Sequence, residues 1–174
     1  WFDGDTLNLA IGQGFTKVTP LQINALYCAI VNDGLIYKPH IVREIISSET
    51  GEVVRRFEPE KWKAVYLAKG TMETIRAGLR RVCTAGTAHV ALGFLNPPVA
   101  GKTGTAQHHR RQRPHAWFSG FAPYGFKNAD DVYVVTVFCE SAGGGGDVAA
   151  PIAGAVFRAI MRQEDAGAVR GELF

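Results

Sequence analysis

Apolar residues follow two rhythms along this chain. Between Thr19 and Asn32, Ile23, Leu26, Tyr27 and Ile30 recur at three- and four-residue intervals, the spacing of one helix face. Thr19-Pro20-Leu21-Gln22 marks its start: Thr19 can cap, Pro20 suits the first helical position, and Gln22 completes a capping box. Gly34 stops it. The rhythm returns at 71–83 with Met72, Ile75, Leu79 and Val82, and Arg80 and Arg81 complement the dipole at that helix's C-terminal end. A last helix is predicted over 148–162. Asp147 caps it, Pro151 falls in its first turn, and Ile152, Ala155, Val156 and Ile160 form a sheet-facing stripe.

The second rhythm is that of strands. Residues 41–46 and 52–56 predict a hairpin turning through Glu49-Thr50-Gly51. Three more strands are predicted at 98–106, 116–122 and 132–139, the last nearly all β-formers. The connections are short enough for antiparallel neighbours. The layout is α+β, an antiparallel sheet packed by helices.

Composition sets outer bounds on this picture. A chain of 174 residues, 47% hydrophobic, is long enough for one domain with a sizeable core. The net charge of +3 does not by itself indicate nucleic acid as a partner. No run of about 18 apolar residues could span a membrane. Cys28, Cys83 and Cys139 are widely spaced in apolar segments and read as free buried thiols.

Candidate chemistry centres on Ala100-Gly101-Lys102-Thr103-Gly104-Thr105-Ala106-Gln107. A P-loop would need a glycine where Asn96 stands, and Pro97 and Pro98 would lie inside the loop. Lys-Thr-Gly is instead one of three elements of the serine acyltransferases that react with penicillin. The other two, Ser-x-x-Lys and Ser-x-Asn, are absent from these residues, and neither Ser119 nor Ser141 sits in a compatible motif.

The surrounding segments make the likeness specific. Ala10-Ile11-Gly12-Gln13-Gly14 with Thr19-Pro20-Leu21-Gln22 resembles a signature of class B penicillin-binding proteins. Residues 100–107 resemble the family's third active-site motif, and 115–123 (His-Ala-Trp-Phe-Ser-Gly-Phe-Ala-Pro) resemble the strand that pairs with it. The glycine turn Gly143–Gly146 and Val148-Ala-Ala-Pro-Ile resemble the entry to the C-terminal helix. The elongation-type branch, penicillin-binding protein 2, is the nearest in pattern.

That resemblance implies a partial β-lactamase/transpeptidase-like fold, with residues 1–174 as the C-terminal portion of the domain and the nucleophile supplied by sequence before Trp1. It implies peptidoglycan D,D-transpeptidation through a serine acyl-enzyme, at the extracytoplasmic face of a bacterial inner membrane. Stem peptides and β-lactam antibiotics would be its ligands and a membrane glycosyltransferase a partner, with no cofactor, no metal and no nucleic acid. Lys102, Thr103 and Gly104 would be catalytic. Thr103, Thr105 and Gln107 would bind substrate, and Thr105 would give a backbone N–H to the oxyanion hole. Alone, the segment would be inactive and would expose apolar faces made to pack on the rest. The alternatives are a D,D-carboxypeptidase or serine β-lactamase of the same superfamily, and a non-catalytic sensor module.

Other conspicuous residues carry less. His108, His109, Arg110, Arg111, Arg113 and His115 read as a solvated basic loop, with an anion or glycan contact and a metal site as alternatives. The loop holds no Cys or carboxylate to complete a metal set. Trp117 and Phe118 read as packing residues, His89 as a surface or satisfied histidine, and the glycine run as a flexible connector.

Overall fold

The computed structural model of the chain describes residues 1–68, 70–108 and 111–165. Helix α1 (Asp3–Ala10) is followed by α2 (Pro20–Val31). The α2 capping box forms as its sequence dictates: Gln22 N donates to Thr19 Oγ1 at 3.2 Å, and Thr19 N donates to Gln22 Oε1 at 2.8 Å. Of the expected apolar face, Tyr27 is buried and Ile23 and Ile30 are half-buried, while Leu26 remains exposed.

A β arm comes next. Strand β1 (Leu35–Tyr37) pairs antiparallel with β4 (Lys61–Ala64), and β2 (Glu44–Ile46) pairs with β3 (Val53–Arg56). The β2–β3 hairpin is the one legible in sequence; β1 and β4 were not. Every residue of β3 and β4 is exposed. Arg43 and Arg56 flank Glu44 at 3.2 and 3.0 Å, and their hydrogen bonds hold its carboxyl below the usual carboxylate range.

Helix α3 (Thr71–Ala85) and the short α4 (His89–Leu92) lead into the main sheet. That sheet has the order β5-β6-β7, with β5 at Ala100–Ala106, β6 at His115–Ala122 and β7 at Tyr133–Cys139. Its register sets two faces, because residues directly opposite across antiparallel strands point the same way. Ala100, Lys102 and Gly104 share a face with Phe121, Ser119 and Trp117, and with Val134, Thr136 and Phe138. Helix α2 covers part of it, packing Tyr27 and Val31 with Ala100 and Phe121. Asn24 Nδ2 donates there to Val134 O and to Thr136 Oγ1, both at 3.3 Å. The opposite face carries Phe118 and Val135 against Cys83 and Leu92, and against Ala150, Ala153 and Phe157 of α5 (Ala150–Asp165).

The final helix departs from expectation in two ways. Residues Gly145–Ala149 form a π turn, so Asp147 lies inside that turn and does not cap α5. The sheet-facing stripe is Ala150, Ala153 and Phe157, with Gly154 turned to α4 and Ile160 only half-buried; Ile152 and Val156 are exposed at 43% and 39%, and Ala155 is exposed too. Small residues let the helix backbone come close to the sheet, and hydrophobicity alone rotated the expected face away from them. The α3 arginines do not meet the dipole as expected, because the helix runs on to Ala85 and its last turn holds no basic residue; they bind carbonyls instead. Arg80 Nη1 donates to Val99 O at 2.7 Å, and Arg76 Nη2 donates to Ile30 O and Val31 O at 2.6 and 3.0 Å.

All three cysteines are free: Cys83 is buried, Cys28 and Cys139 half-buried. Burial pushes the Cys83 thiol up to about 11, and burial next to Cys83 pushes the Tyr27 phenol up to about 12. Apolar side chains also stand open in the first segment, with Phe2, Ile11 and Phe15 each more than 70% exposed. Among the described residues no helix is long and apolar enough to cross a membrane.

Candidate active site

Strand β5 is the outermost strand of its sheet, paired with β6 on one side alone among the described residues. An antiparallel strand sends each residue's N–H and C=O to the same side, alternating along the chain. Lys102 Nζ donates to Thr103 O at 2.7 Å, and Gln13 Nε2 donates to Thr105 O at 3.2 Å. Both carbonyls therefore point away from β6, and the N–H groups of Thr103 and Thr105 point with them to the open edge. Such an edge can take an extended peptide as a further strand. Gly104 keeps it slim; a Cβ there would lie 3.1 Å from Trp117 Cβ.

The side chains of the Lys-Thr-Gly-Thr run divide between the faces. Lys102 is exposed on the α2 face beside its cross-strand neighbour Ser119. Thr103 is 7% exposed, and its Oγ1 lies 2.6 Å from Thr87 Oγ1. Thr105 Oγ1 accepts a hydrogen bond from Gly145 N at 3.2 Å. With that lone pair occupied, the Thr105 O–H is left as a donor. Gln107 lies exposed just beyond the strand. An exposed cation, two edge N–H groups and a fixed hydroxyl donor make a site for a peptide that ends in an anion.

Three positions escaped the sequence reading. Gln13 belongs to the Gly-Gln-Gly signature, and its amide reaches the β5 edge across 92 positions. Gly145 lies flat on the sheet, where a Cβ would come within 2.4 Å of Gly104 O and Trp117 O. Thr87 follows Gly86, where a Cβ would meet Val82 Cα at 2.8 Å, so the chain can fold back along α3. The glycines were visible as a run, but nothing in a single sequence shows which of them touches a strand.

The other candidates lie as follows. His108 and His115 stack at 3.9 Å with their planes 7° apart, and His115 Nδ1 accepts from Ser141 N at 3.0 Å. His109 and Arg110 fall outside the described residues. Among the described residues no group of three or more His, Cys, Asp or Glu could hold a metal ion. Phe118 is fully buried, and Trp117 packs on Phe138 with centroids 4.4 Å apart. Ser119 Oγ pairs with Thr136 Oγ1 at 2.7 Å beneath the site. His89 is not satisfied: its Nδ1 is buried without a hydrogen-bond partner.

This edge strand with its Lys-Thr-Gly run lies within a wider likeness. Residues 1–162 match the penicillin-binding protein transpeptidase domain. The chain belongs to this family. It is 34% identical to the peptidoglycan D,D-transpeptidase MrdA of Haemophilus influenzae, over 94% of this chain and 27% of that protein. It superposes on PBP2 from Pseudomonas aeruginosa with a TM-score of 0.72 and 32% identity, covering 92% of this chain and 33% of that one. A chain from a peptidoglycan synthase complex that coordinates polymerization and crosslinking gives a TM-score of 0.74 and 34% identity, covering 91% and 26%. The chain thus spans about a quarter of the length of the curated relatives it matches.

Proposed function

We propose that residues 1–174 are the C-terminal portion of a class B transpeptidase domain whose complete protein crosslinks peptidoglycan stem peptides through a serine acyl-enzyme. The observation that carries this reading is the open β5 edge, with Lys102 beside it and the Thr103 and Thr105 N–H groups directed outward. A stem peptide ending in D-alanyl-D-alanine adds along that edge, its terminal carboxylate drawn to Lys102 and to the Thr105 hydroxyl. A serine from outside these residues attacks the penultimate D-alanine carbonyl. The Thr105 N–H faces the developing oxyanion, and the peptide bond breaks as the leaving terminal D-alanine takes up a proton. An amine from a neighbouring stem then displaces the serine, forming the crosslink and returning the proton to the enzyme. Thr103, Gly104 and Gln107 complete the strand that holds the substrate.

Lys102 supplies charge where the carboxylate lands and where protons move between hydroxyls. The likeness to the synthase complex, whose subject is coordinated polymerization and crosslinking, supports a glycan-polymerising partner and a place at the cell envelope. β-Lactams, which mimic the D-alanyl-D-alanine end, are the ready probes.

Intact-mass spectrometry of the complete protein with benzylpenicillin tests the reading. The expected result is a covalent adduct on a serine outside residues 1–174. No adduct on the complete protein would leave a non-catalytic cleft that binds cell-wall peptides. Replacing Lys102 by Ala should slow adduct formation by about a hundredfold, the scale of losing one charge-stabilising donor; an unchanged rate would remove Lys102 from its role.

A further inference from the structure

The segment between α3 and α4 places a threonine hydroxyl against the substrate strand from below. Thr87 Oγ1 lies 2.6 Å from Thr103 Oγ1, a short hydroxyl–hydroxyl bond. Its carbonyl is clamped as well, since a Cβ on Gly146 would come within 2.5 Å of Thr87 O. Thr87 is exposed and Thr103 is 7% exposed, so the pair lies at the border between the sheet interior and solvent.

Two hydroxyls sharing one hydrogen bond spend one proton between them and keep one free. The oxygen that accepts is polarised by that bond, and its own O–H becomes the stronger donor. When Thr87 donates, the free and strengthened O–H is the one on Thr103, two residues from the Thr105 hydroxyl that Gly145 N–H sets up in the same way. Without Thr87, the Thr103 hydroxyl has no fixed direction and competes for neighbouring backbone carbonyls.

We infer that Thr87 is a positioning residue for the acyl donor's carboxylate: by donating to Thr103 it turns that hydroxyl into a fixed donor, matched to the one on Thr105. This rests on the transpeptidase reading above. The ligand feature concerned is an anionic carboxylate, as carried by a peptide C-terminus or by a penicillin.

The test uses the complete protein and two ligands, benzylpenicillin and its methyl ester, in which the carboxylate is masked. For Thr87→Val, which keeps the side-chain shape and loses the hydroxyl, the second-order acylation constant for benzylpenicillin should fall by about tenfold, the scale of one hydrogen bond to a charged group. For the ester it should stay within about twofold, and Thr87→Ser should restore benzylpenicillin to within about twofold of wild type. Equal losses for both ligands, no loss for either, or failure of Thr87→Ser to restore the rate would overturn the inference. Should Thr87→Val not fold, Thr87→Ala is read against the same pair of ligands by the same criteria. A wild-type protein acylated by neither ligand would sink the transpeptidase reading itself, a result distinct from acylation that is indifferent to position 87.

Discussion

The β5–β6–β7 sheet and the β arm at 35–64 are built from similar strand-forming residues and end in opposite states. In β6, six of the eight residues are buried; in β3 and β4, every one is exposed. Valine, tyrosine and tryptophan are present in both. What differs is cover. The sheet has helices on two faces, whereas each arm pair is a two-stranded ribbon, which is marginal in water by itself. Strand propensity therefore made strands in both places, and only packing made one of them rigid enough to carry a site. The roles proposed for Lys102 and Thr105 need that rigidity, so the edge proposed to take substrate belongs to the covered sheet.

The sharpest way to break this contrast is at Gly145. Replacing it by Val would drive a side chain into the Gly104 and Trp117 carbonyls. That should cost about 3 kcal/mol or more and abolish penicillin acylation, read by thermal melts and adduct formation on the complete domain. A paired effect compares the two regions directly. Phe118→Ala, in the fully buried core, should cost about 3–5 kcal/mol, while Val54→Ala in the arm should stay within about 0.5 kcal/mol by denaturant titration. Equal losses would mean the arm is covered in the complete protein.

Titration separates the regions in pH. The Cys83 and Tyr27 groups are raised in the folded state, from 9.0 to about 11 and from 10.0 to about 12. Their contribution is fully present below the unfolded values and disappears as pH rises through the folded ones. The sheet half should therefore weaken between pH 9 and 12, and Tyr27→Phe should flatten that decline in alkaline melts. Glu44 is shifted the other way, so its contribution holds above the unfolded value of 4.5 and fades as pH falls. Because Glu44 belongs to the arm, Glu44→Gln should leave the alkaline limb untouched and change acid stability least of all, the ion pair being screened by water.

Much of the fold was legible because its signals were local. The Thr19–Gln22 box, the α3 stripe and all three sheet strands need only neighbours in sequence, and each lies within a few residues of its expected bounds. The α5 face was misread because Ala150, Ala153 and Gly154 pack by being small, a property that hydrophobic periodicity does not weigh. Likewise, β1 and β4 find each other across a long separation through a three-residue ladder too short to leave a pattern. In the site, the Lys-Thr-Gly run announced itself. Gln13 stood in a recognisable signature but its reach to Thr105 O did not show, and Thr87 did not show at all, because a polar side chain reaching a distant backbone or hydroxyl leaves no trace of its partner in the residues around it.

Arg76 and Arg80 hold α3 in place through the carbonyl oxygens of Ile30, Val31 and Val99. Every amino acid brings a carbonyl of the same shape and charge to those positions. Through these carbonyls the helix is held whatever side chains stand at 30, 31 and 99, and the ion pair of Arg76 with Asp33 is the part of the tether that depends on a side chain. Drift at positions 30, 31 and 99 can then retune the packing under β5 while the strand keeps its seat. The two guanidinium anchors thus give the domain freedom to vary its interior without moving its chemistry.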